Sequence, residues 1–160
     1  RTREQMFTGD ADWTLIVDVK LNPRIHIPII GNGDICTPEQ ARDAFDRYGV
    51  DAVMVGRATF GCPWIFQEMR DVLDGRPADP TLTTDRKIDL LLEQLHINVE
   101  RIDEYRGILH TRRHIAASPV FKGIPDFRQT RIAMLRATTV EELTAIMEQA
   151  REMIHKVQGV

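Results

Sequence analysis

The chain has 160 residues, 42% of them apolar and 28% charged, with a formal net charge of −3 and two cysteines. This is an ordinary globular composition, too short for a closed eight-stranded α/β barrel at about 250 residues and without an apolar run near the roughly 20 residues that cross a bilayer. Two distant cysteines make no disulfide framework, so a reducing, cytoplasmic setting with no membrane contact is expected.

The sequence starts Arg1-Thr2-Arg3, without methionine and without a strand ahead of the first helical pattern, as expected of a piece of a larger fold. Trp13, Ile16, Val17, Lys20 and Leu21 recur with helical period over 10–21, with Asp10 as a candidate N-cap and Asn22-Pro23 as the stop. An apolar strand is expected over Ile25–Ile30. Thr37-Pro38-Glu39-Gln40 then opens a helix, with Thr as cap, Pro at the first position and Gln three residues on, and Gly49 ends it. A second strand is expected over Ala52–Val55, a helical turn over Ala58–Gly61, and a helix from Pro63 to Gly75.

Both strands read as near-continuous apolar runs, the pattern of parallel strands buried on two faces. Arg76-Pro77-Ala78-Asp79-Pro80 punctuates the chain. Beyond it, Thr84 is expected to cap a helix running to Tyr105 and broken by Gly107. Further helices follow over 108–117, over Phe127–Ala137 and over Glu141–Val157. The organisation is α/β followed by all-α: 1–76, a linker at 77–82, and a helical bundle over 83–160.

The chemistry concentrates at two glycine-bearing strand ends. Ile27-Pro28-Ile29-Ile30-Gly31-Asn32-Gly33-Asp34 is echoed by Asp51-Ala52-Val53-Met54-Val55-Gly56-Arg57-Ala58. Glycine lets backbone amides approach a ligand closely, and clustered amides make an anion-binding concavity. In (β/α)8 barrels the loops after the last two strands often hold a phosphate. Arg57 adds a fixed positive charge. Plain tight turns are the alternative. The third glycine of a dinucleotide fingerprint is missing, because Cys36 stands there.

Charge is uneven beyond the linker. Residues 106–136 hold seven bases (Arg106, Arg112, Arg113, Lys122, Arg128, Arg131 and Arg136) against the single acid Asp126. That is an electrostatic footprint for a polyanion, with a solvated surface face as the alternative. His110 and His114 share a helix face at i, i+4, but flanking Arg112 and Arg113 disfavour a metal cation, so no metal site is expected. Cys36 and Cys62 read as small buried thiols, His26 as structural, and Trp13 and Trp64 as core.

Taken together, Arg1-Thr2-Arg3, the run from Asn22 to Ile35, Val55-Gly56-Arg57-Ala58, Pro63-Trp64-Ile65-Phe66, Arg113-His114-Ile115-Ala116 and Phe121-Lys122-Gly123 resemble the tRNA-dihydrouridine synthase family over nearly the whole chain. The resemblance implies the last two strands of an FMN-binding (β/α)8 TIM barrel and a helical domain that helps hold tRNA. It implies that Asn32, Gly33, Asp34, Gly56 and Arg57 contact FMN, chiefly near its phosphate. It assigns RNA contact to the basic segment, in which Arg112, Arg113, His114, Lys122, Arg128 and Arg131 are the candidates.

Family members are flavoprotein oxidoreductases of tRNA processing, reducing the C5–C6 bond of a uridine to dihydrouridine. The flavin gives hydride to C6, a cysteine protonates C5, and NADPH refills the flavin. The uridine must leave its stack to reach the flavin. That catalytic cysteine, in an Asn-x-Gly pattern, has no match here, and Cys62 does not inherit its role. Only Arg1-Thr2 remains of the family's His-x-Arg-Thr, and Lys20 does not replace its flavin-facing lysine. The 160 residues alone are therefore expected to be inactive, and to self-associate through exposed barrel edges. A non-catalytic RNA-binding module and another phosphate-binding barrel enzyme acting on a small metabolite are the alternatives.

Overall fold

The computed structural model describes Glu4, Met6 and residues 8–159, so Arg1-Thr2-Arg3 lies outside the described residues. Seven helices and two short parallel strands are found among them. By contact they divide into two compact units, one holding the residues up to Thr59 with Ile65–Ala78, the other Phe60–Trp64 with Asp79 onward. The chain thus leaves the first unit for five residues and returns before its final departure. No helix among the described residues is long and apolar enough to cross a membrane.

In the first unit, helix α1 (Thr14–Lys20) precedes strand β1 (Ile30–Asn32), helix α2 (Pro38–Tyr48), strand β2 (Ala52–Met54), a 3-10 turn at Arg57–Thr59 and helix α3 (Ile65–Leu73). The strands pair in parallel, Gly31 opposite Val53. Asp51 sets the entry to the pair. Its amide donates to Ile29 O at 2.9 Å, and its carboxylate accepts Ile29 N–H at 2.7 Å. That backbone bond, followed by Lys20, holds the Asp51 carboxyl below the usual carboxylate range.

Three expectations about this unit need correcting. Helix α1 starts at Thr14 rather than beside Asp10, because Asp12 Oδ1 accepts both Thr14 N–H at 2.9 Å and its hydroxyl at 2.6 Å. The first strand is confined to Ile30–Asn32, not Ile25–Ile30. Its apolar run is not buried on both faces: Ile27 and Ile30 are 71% and 63% exposed, and Met54 in β2 is 56% exposed. Alternating and continuous patterns report what a strand is built to contact, and here those faces are uncovered. The helix start at Thr37 is as expected: Thr37 Oγ1 accepts Gln40 N–H while Gln40 Oε1 accepts Thr37 N–H, and Gly49 closes α2 in the left-handed conformation.

The second unit packs helices α4 (Thr84–Arg101), α5 (Glu104–Ala117), α6 (Arg128–Arg136) and α7 (Val140–Gln158), with a 3-10 turn at Pro119–Phe121. One continuous core joins Trp64, Ile88, Leu91, Leu95, Ile108, Ile115, Phe121, Met134, Leu143 and Met147, among others. Helix α4 ends at Arg101, short of the expected Tyr105. The break is made by Asp103, whose side chain caps α5 by accepting Arg106 N–H at 2.8 Å.

Gly107 is not a breaker. It lies buried inside α5, where a Cβ would sit 2.7 Å from the Val99 backbone. The glycine is there so that α4 and α5 can approach closely.

At the far end of α4, Arg151 of α7 is only 16% exposed and reaches Asp89, Glu148 and both the carbonyl and carboxylate of Asp85. His155 Nε2 is 2.8 Å from Asp85 Oδ1. This charged cluster ties the start of α4 to the end of α7.

Candidate functional site

The two strand ends converge. Asn32, Gly33, Asp34, Gly56, Arg57 and Cys36 share one cavity of about 300 Å³ in the first unit. A parallel pair makes this possible, because both strands end on the same side. Arg57 Nη2 and Asp34 Oδ1 are 2.6 Å apart across the cavity rim. Asp34 Oδ2 accepts Ala11 N–H at 2.8 Å. Asp34 adopts a left-handed conformation with φ of 52°, which costs a non-glycine residue about 1–2 kcal/mol. Its two carboxylate oxygens, one on each neighbouring segment, hold it there.

The glycines divide in their purpose. A Cβ on Gly31 would run into the six-membered ring of Trp13, and one on Gly33 would meet Ala11 Cβ at 2.5 Å. Those two are small because Trp13 lies on them, with its indole N–H donating to Gly33 O at 3.0 Å and its ring stacked on Tyr48. Gly56 alone of the three faces open space, with nothing within 4 Å of its missing Cβ. Close ligand approach is therefore built at Gly56 and not at Gly31. Trp13 is half-buried and sits just ahead of α1, not on an apolar helix face. Cys36 is exposed at the cavity, which corrects the buried-thiol expectation, whereas Cys62 is half-buried; His26 is exposed.

The residues present offer what an anionic group such as a phosphate needs. There is room beside Gly56, a guanidinium half in solvent at Arg57, and a concavity made by two strand ends. Helix α2 is less involved than its position suggests. The Cys36 and Thr37 amides just ahead of it both donate to Gln40 Oε1, at 2.7 and 3.1 Å, and the Gln40 amide donates to Thr37 Oγ1 at 3.2 Å, so three of the amides at its start are satisfied from within.

The six candidates for RNA contact do not behave alike. Arg113, Lys122 and Arg128 are exposed. Arg112 Nη2 donates to Ala137 O at 2.5 Å. Arg131 Nη2 donates to Phe121 O at 3.1 Å and lies over the Phe127 ring. His114 accepts Gly61 N–H on Nδ1 at 3.2 Å and meets Phe60 edge-on. Burial, then the nearby Arg113 and His110 charges, push the His114 pKa down. No cluster of potential metal ligands occurs among the described residues.

A family model described as Dihydrouridine synthase (Dus) matches residues 1–156. The chain belongs to the dihydrouridine synthase family. It is 36% identical over 149 residues to a protein named tRNA-dihydrouridine synthase B from Shewanella oneidensis, covering 92% of this chain and 44% of that one. It is 32% identical over 147 residues to a protein named "Probable tRNA-dihydrouridine synthase" from Mycobacterium leprae, covering 92% and 38%. A tRNA-dihydrouridine synthase B from Vibrio cholerae is 37% identical over 116 residues, covering 72% and 35%. The chain thus spans less than half the length of each of these relatives.

Membership gives the convergence of Asn32–Asp34 with Gly56–Arg57 a context. What sequence reasoning missed is the backing of that cavity by Ala11 and Trp13. The signal was present as an aromatic residue some twenty positions ahead of a Gly-x-Gly, but nothing in a helical period links the two.

Proposed function

We propose that the whole protein is an FMN-dependent tRNA-dihydrouridine synthase that uses NADPH to reduce a uridine in tRNA. In this proposal the 160 residues are the last two strands of its TIM barrel, divided at 77–82 from a helical tRNA-binding domain over 83–160. The observation that carries it is the meeting of Asn32–Asp34 and Gly56–Arg57 at one cavity within a chain of this family. Asn32, Gly33, Asp34, Gly56 and Arg57 would contact FMN near its phosphate, with Arg57 supplying charge, Gly56 room, and Asp34 its backbone rather than its carboxylate. The flavin supplies the hydride chemistry. RNA contact falls to exposed Arg113, Lys122 and Arg128, while Arg112, His114 and Arg131 hold the surface beneath them.

The test is flavin absorbance of the whole protein together with dihydrouridine formation in tRNA under NADPH. The 160 residues alone should show no NADPH oxidation with tRNA. A colourless whole protein that still binds tRNA would favour a non-catalytic RNA module instead.

A further inference from the structure

Helix α5 buries Gly107, Ile108, Thr111 and Ile115 within the helical unit and turns its opposite side outward. Tyr105, near its start, is 70% exposed, and Leu109 is exposed one turn on. Arg113 follows after a second turn and is exposed, as are Arg106 and His110 beside this line. Spacings of three and four residues make the five neighbours on one arc of the helix. From Tyr105 to Arg113 the line is about 12 Å long.

The arc is cationic and holds no acid. No Asp or Glu occurs from Tyr105 to Pro125. The two acids at the start of α5 are engaged by other groups. Asp103 caps the helix and pairs with Arg106 Nε at 2.6 Å, and Glu104 accepts Val140 N–H at 2.9 Å. Asp103 therefore offsets Arg106, and Arg113 supplies the main positive charge of the arc. A ring as exposed as that of Tyr105 gains little from folding, so its flat face is open to a partner.

We infer that the outer face of α5 is a docking surface for an unpaired RNA segment, with one base stacked on Tyr105 and a nearby phosphate paired with Arg113. The inference rests on the tRNA reading above and names the RNA feature this helix takes. The make-up of the arc selects the occupant. A second copy of the chain in a two-fold contact would lay the face against itself, setting Arg106, His110 and Arg113 against their own counterparts with no acid on the arc to offset them. A lipid surface would meet only two large apolar side chains, Tyr105 and Leu109, because the apolar stripe of α5 is already covered by the core. An acidic peptide would satisfy Arg113 and leave the Tyr105 ring without a flat partner. Unpaired RNA supplies phosphate and flat base together, the combination by which proteins hold single strands. Paired RNA keeps its bases in the stack and offers Tyr105 no ring face.

The test titrates the 160-residue chain over a salt series with a fluorescent oligouridylate, an abasic ribose-phosphate oligomer of the same length, and tRNA. The variants are Tyr105→Ala, Tyr105→Leu, Tyr105→Phe and Arg113→Gln, each checked for a wild-type urea midpoint. Arg113→Gln, at a second exposed position, keeps the surface open to refutation should a Tyr105 variant lose stability. Tyr105→Ala and Tyr105→Leu should weaken oligouridylate about tenfold and leave the abasic oligomer unchanged, while Tyr105→Phe keeps wild-type affinity. Arg113→Gln should weaken both oligomers and flatten their salt dependence by about 0.7. Equal loss for both oligomers in Tyr105→Ala, no loss in Tyr105→Ala or in Arg113→Gln, or polyaspartate displacing oligouridylate as well as unlabelled oligouridylate does, overturns the surface. If tRNA binding falls in Lys122→Gln with Arg128→Gln but in no α5 variant, the surface fails and the tRNA reading stands. If oligouridylate binds as expected but tRNA does not bind, the tRNA reading fails and the surface stands. No binding of either overturns both.

Discussion

His114 Nδ1 accepts the Gly61 amide hydrogen at 3.2 Å, and this fixes the imidazole as the neutral tautomer with its proton on Nε2. The side chain facing Nε2 is Gln94, whose amide nitrogen stands 3.4 Å away while its Oε1 is buried without a partner. The amide orientation that satisfies both groups has Oε1 toward the imidazole, accepting Nε2–H. Protonating Nδ1 would place a second donor against the Gly61 amide. Burial and the charges of Arg113 and His110 already disfavour that proton.

The consequence is a pH dependence of known sign. The unfolded chain takes up this proton near pH 6.5 and the folded chain only at lower pH. Between those values the unfolded state binds more protons, so stability rises with pH. The His114 contribution is complete above the unfolded value and is lost as pH falls from there toward the folded one. Urea midpoints measured from neutral to mildly acidic pH should fall in the wild type, and the difference from His114→Gln should carry that slope. A difference that does not vary with pH would remove the neutral-tautomer account.

Gly61 and Gly107 test close backbone approach in two backbone conformations. Gly61 has φ of 72°, and a Cβ there would press into His114 O and the Ser118 backbone. Gly107 is helical, and a Cβ would meet the Val99 backbone at 2.7 Å. Gly61→Ala adds left-handed strain to the clash, so it should cost more than about 2 kcal/mol. Gly107→Ala gains helix propensity of about 1 kcal/mol against overpacking of about 1–3 kcal/mol, so its net loss should be smaller. Equilibrium unfolding of both variants checks the order; a stabilised Gly107→Ala would mean that α4 and α5 separate cheaply.

Local signals were legible where they are local. The Thr37-Pro38-x-Gln40 start, the Gly49 stop and the apolar stripes of α4 and α7 all depend on residues within a few positions of each other. What could not be read depends on contacts far along the chain. Gly107 looks like a breaker until Val99 lies across it, and Gly31 looks like a ligand loop until Trp13 lies on it. The basic cluster shows the same limit. Charge counting treats Arg112 and Arg113 as equals, but adjacent helix positions face different ways, and only Arg112 turns inward to Ala137.

Trp13 should stabilise the cavity wall from behind. Its ring covers Gly31 and stacks on Tyr48 with centroids 5.1 Å apart. Because the ring is half-buried, Trp13→Ala should cost about 2–3 kcal/mol, below the usual range for a core aromatic. It should also weaken flavin binding by the whole protein, since the loop carrying Asp34 loses its support. Unchanged flavin affinity in a folded variant would show that the loop holds its shape without the indole.

Asp34 and Arg57 make opposite predictions for ligand affinity. Asp34 places a negative charge at the rim of a proposed phosphate site, where its partner Arg57 is 51% exposed. Asp34→Asn keeps an acceptor for Ala11 N–H and tolerates the left-handed conformation, while removing the charge that competes for Arg57. Phosphate or FMN affinity of the whole protein should rise a few-fold in Asp34→Asn and fall about tenfold or more in Arg57→Ala, read by flavin fluorescence quenching. A drop in both would mean that Asp34 itself accepts a hydrogen bond from the ligand, and its carboxylate would then belong to the binding set.

The first unit gives the 160-residue chain a reason to associate. A two-stranded sheet is marginal by itself, because three or more strands, or strands covered on a face, are needed for independent stability. Here Ile27, Ile30 and Met54 are mostly exposed on or beside the strands, and both outer strand edges are unpaired among the described residues. Its buried apolar residues are few and mostly small or medium in size, chiefly Ile35, Ala41, Ala44, Val50, Ile65 and Met69, against the larger core of the helical unit. Pairing two copies edge to edge makes one four-stranded sheet, and packing the exposed faces together covers these side chains. Sedimentation of the chain should therefore show concentration-dependent association, reduced by Ile30→Lys or Met54→Lys without loss of helix content. Hydrogen exchange should be slower in α4, α5 and α7 than in β1 and β2, because the helical core opens only with global unfolding. A monomer at all concentrations with equally protected strands would show that the two-stranded sheet is stable uncovered.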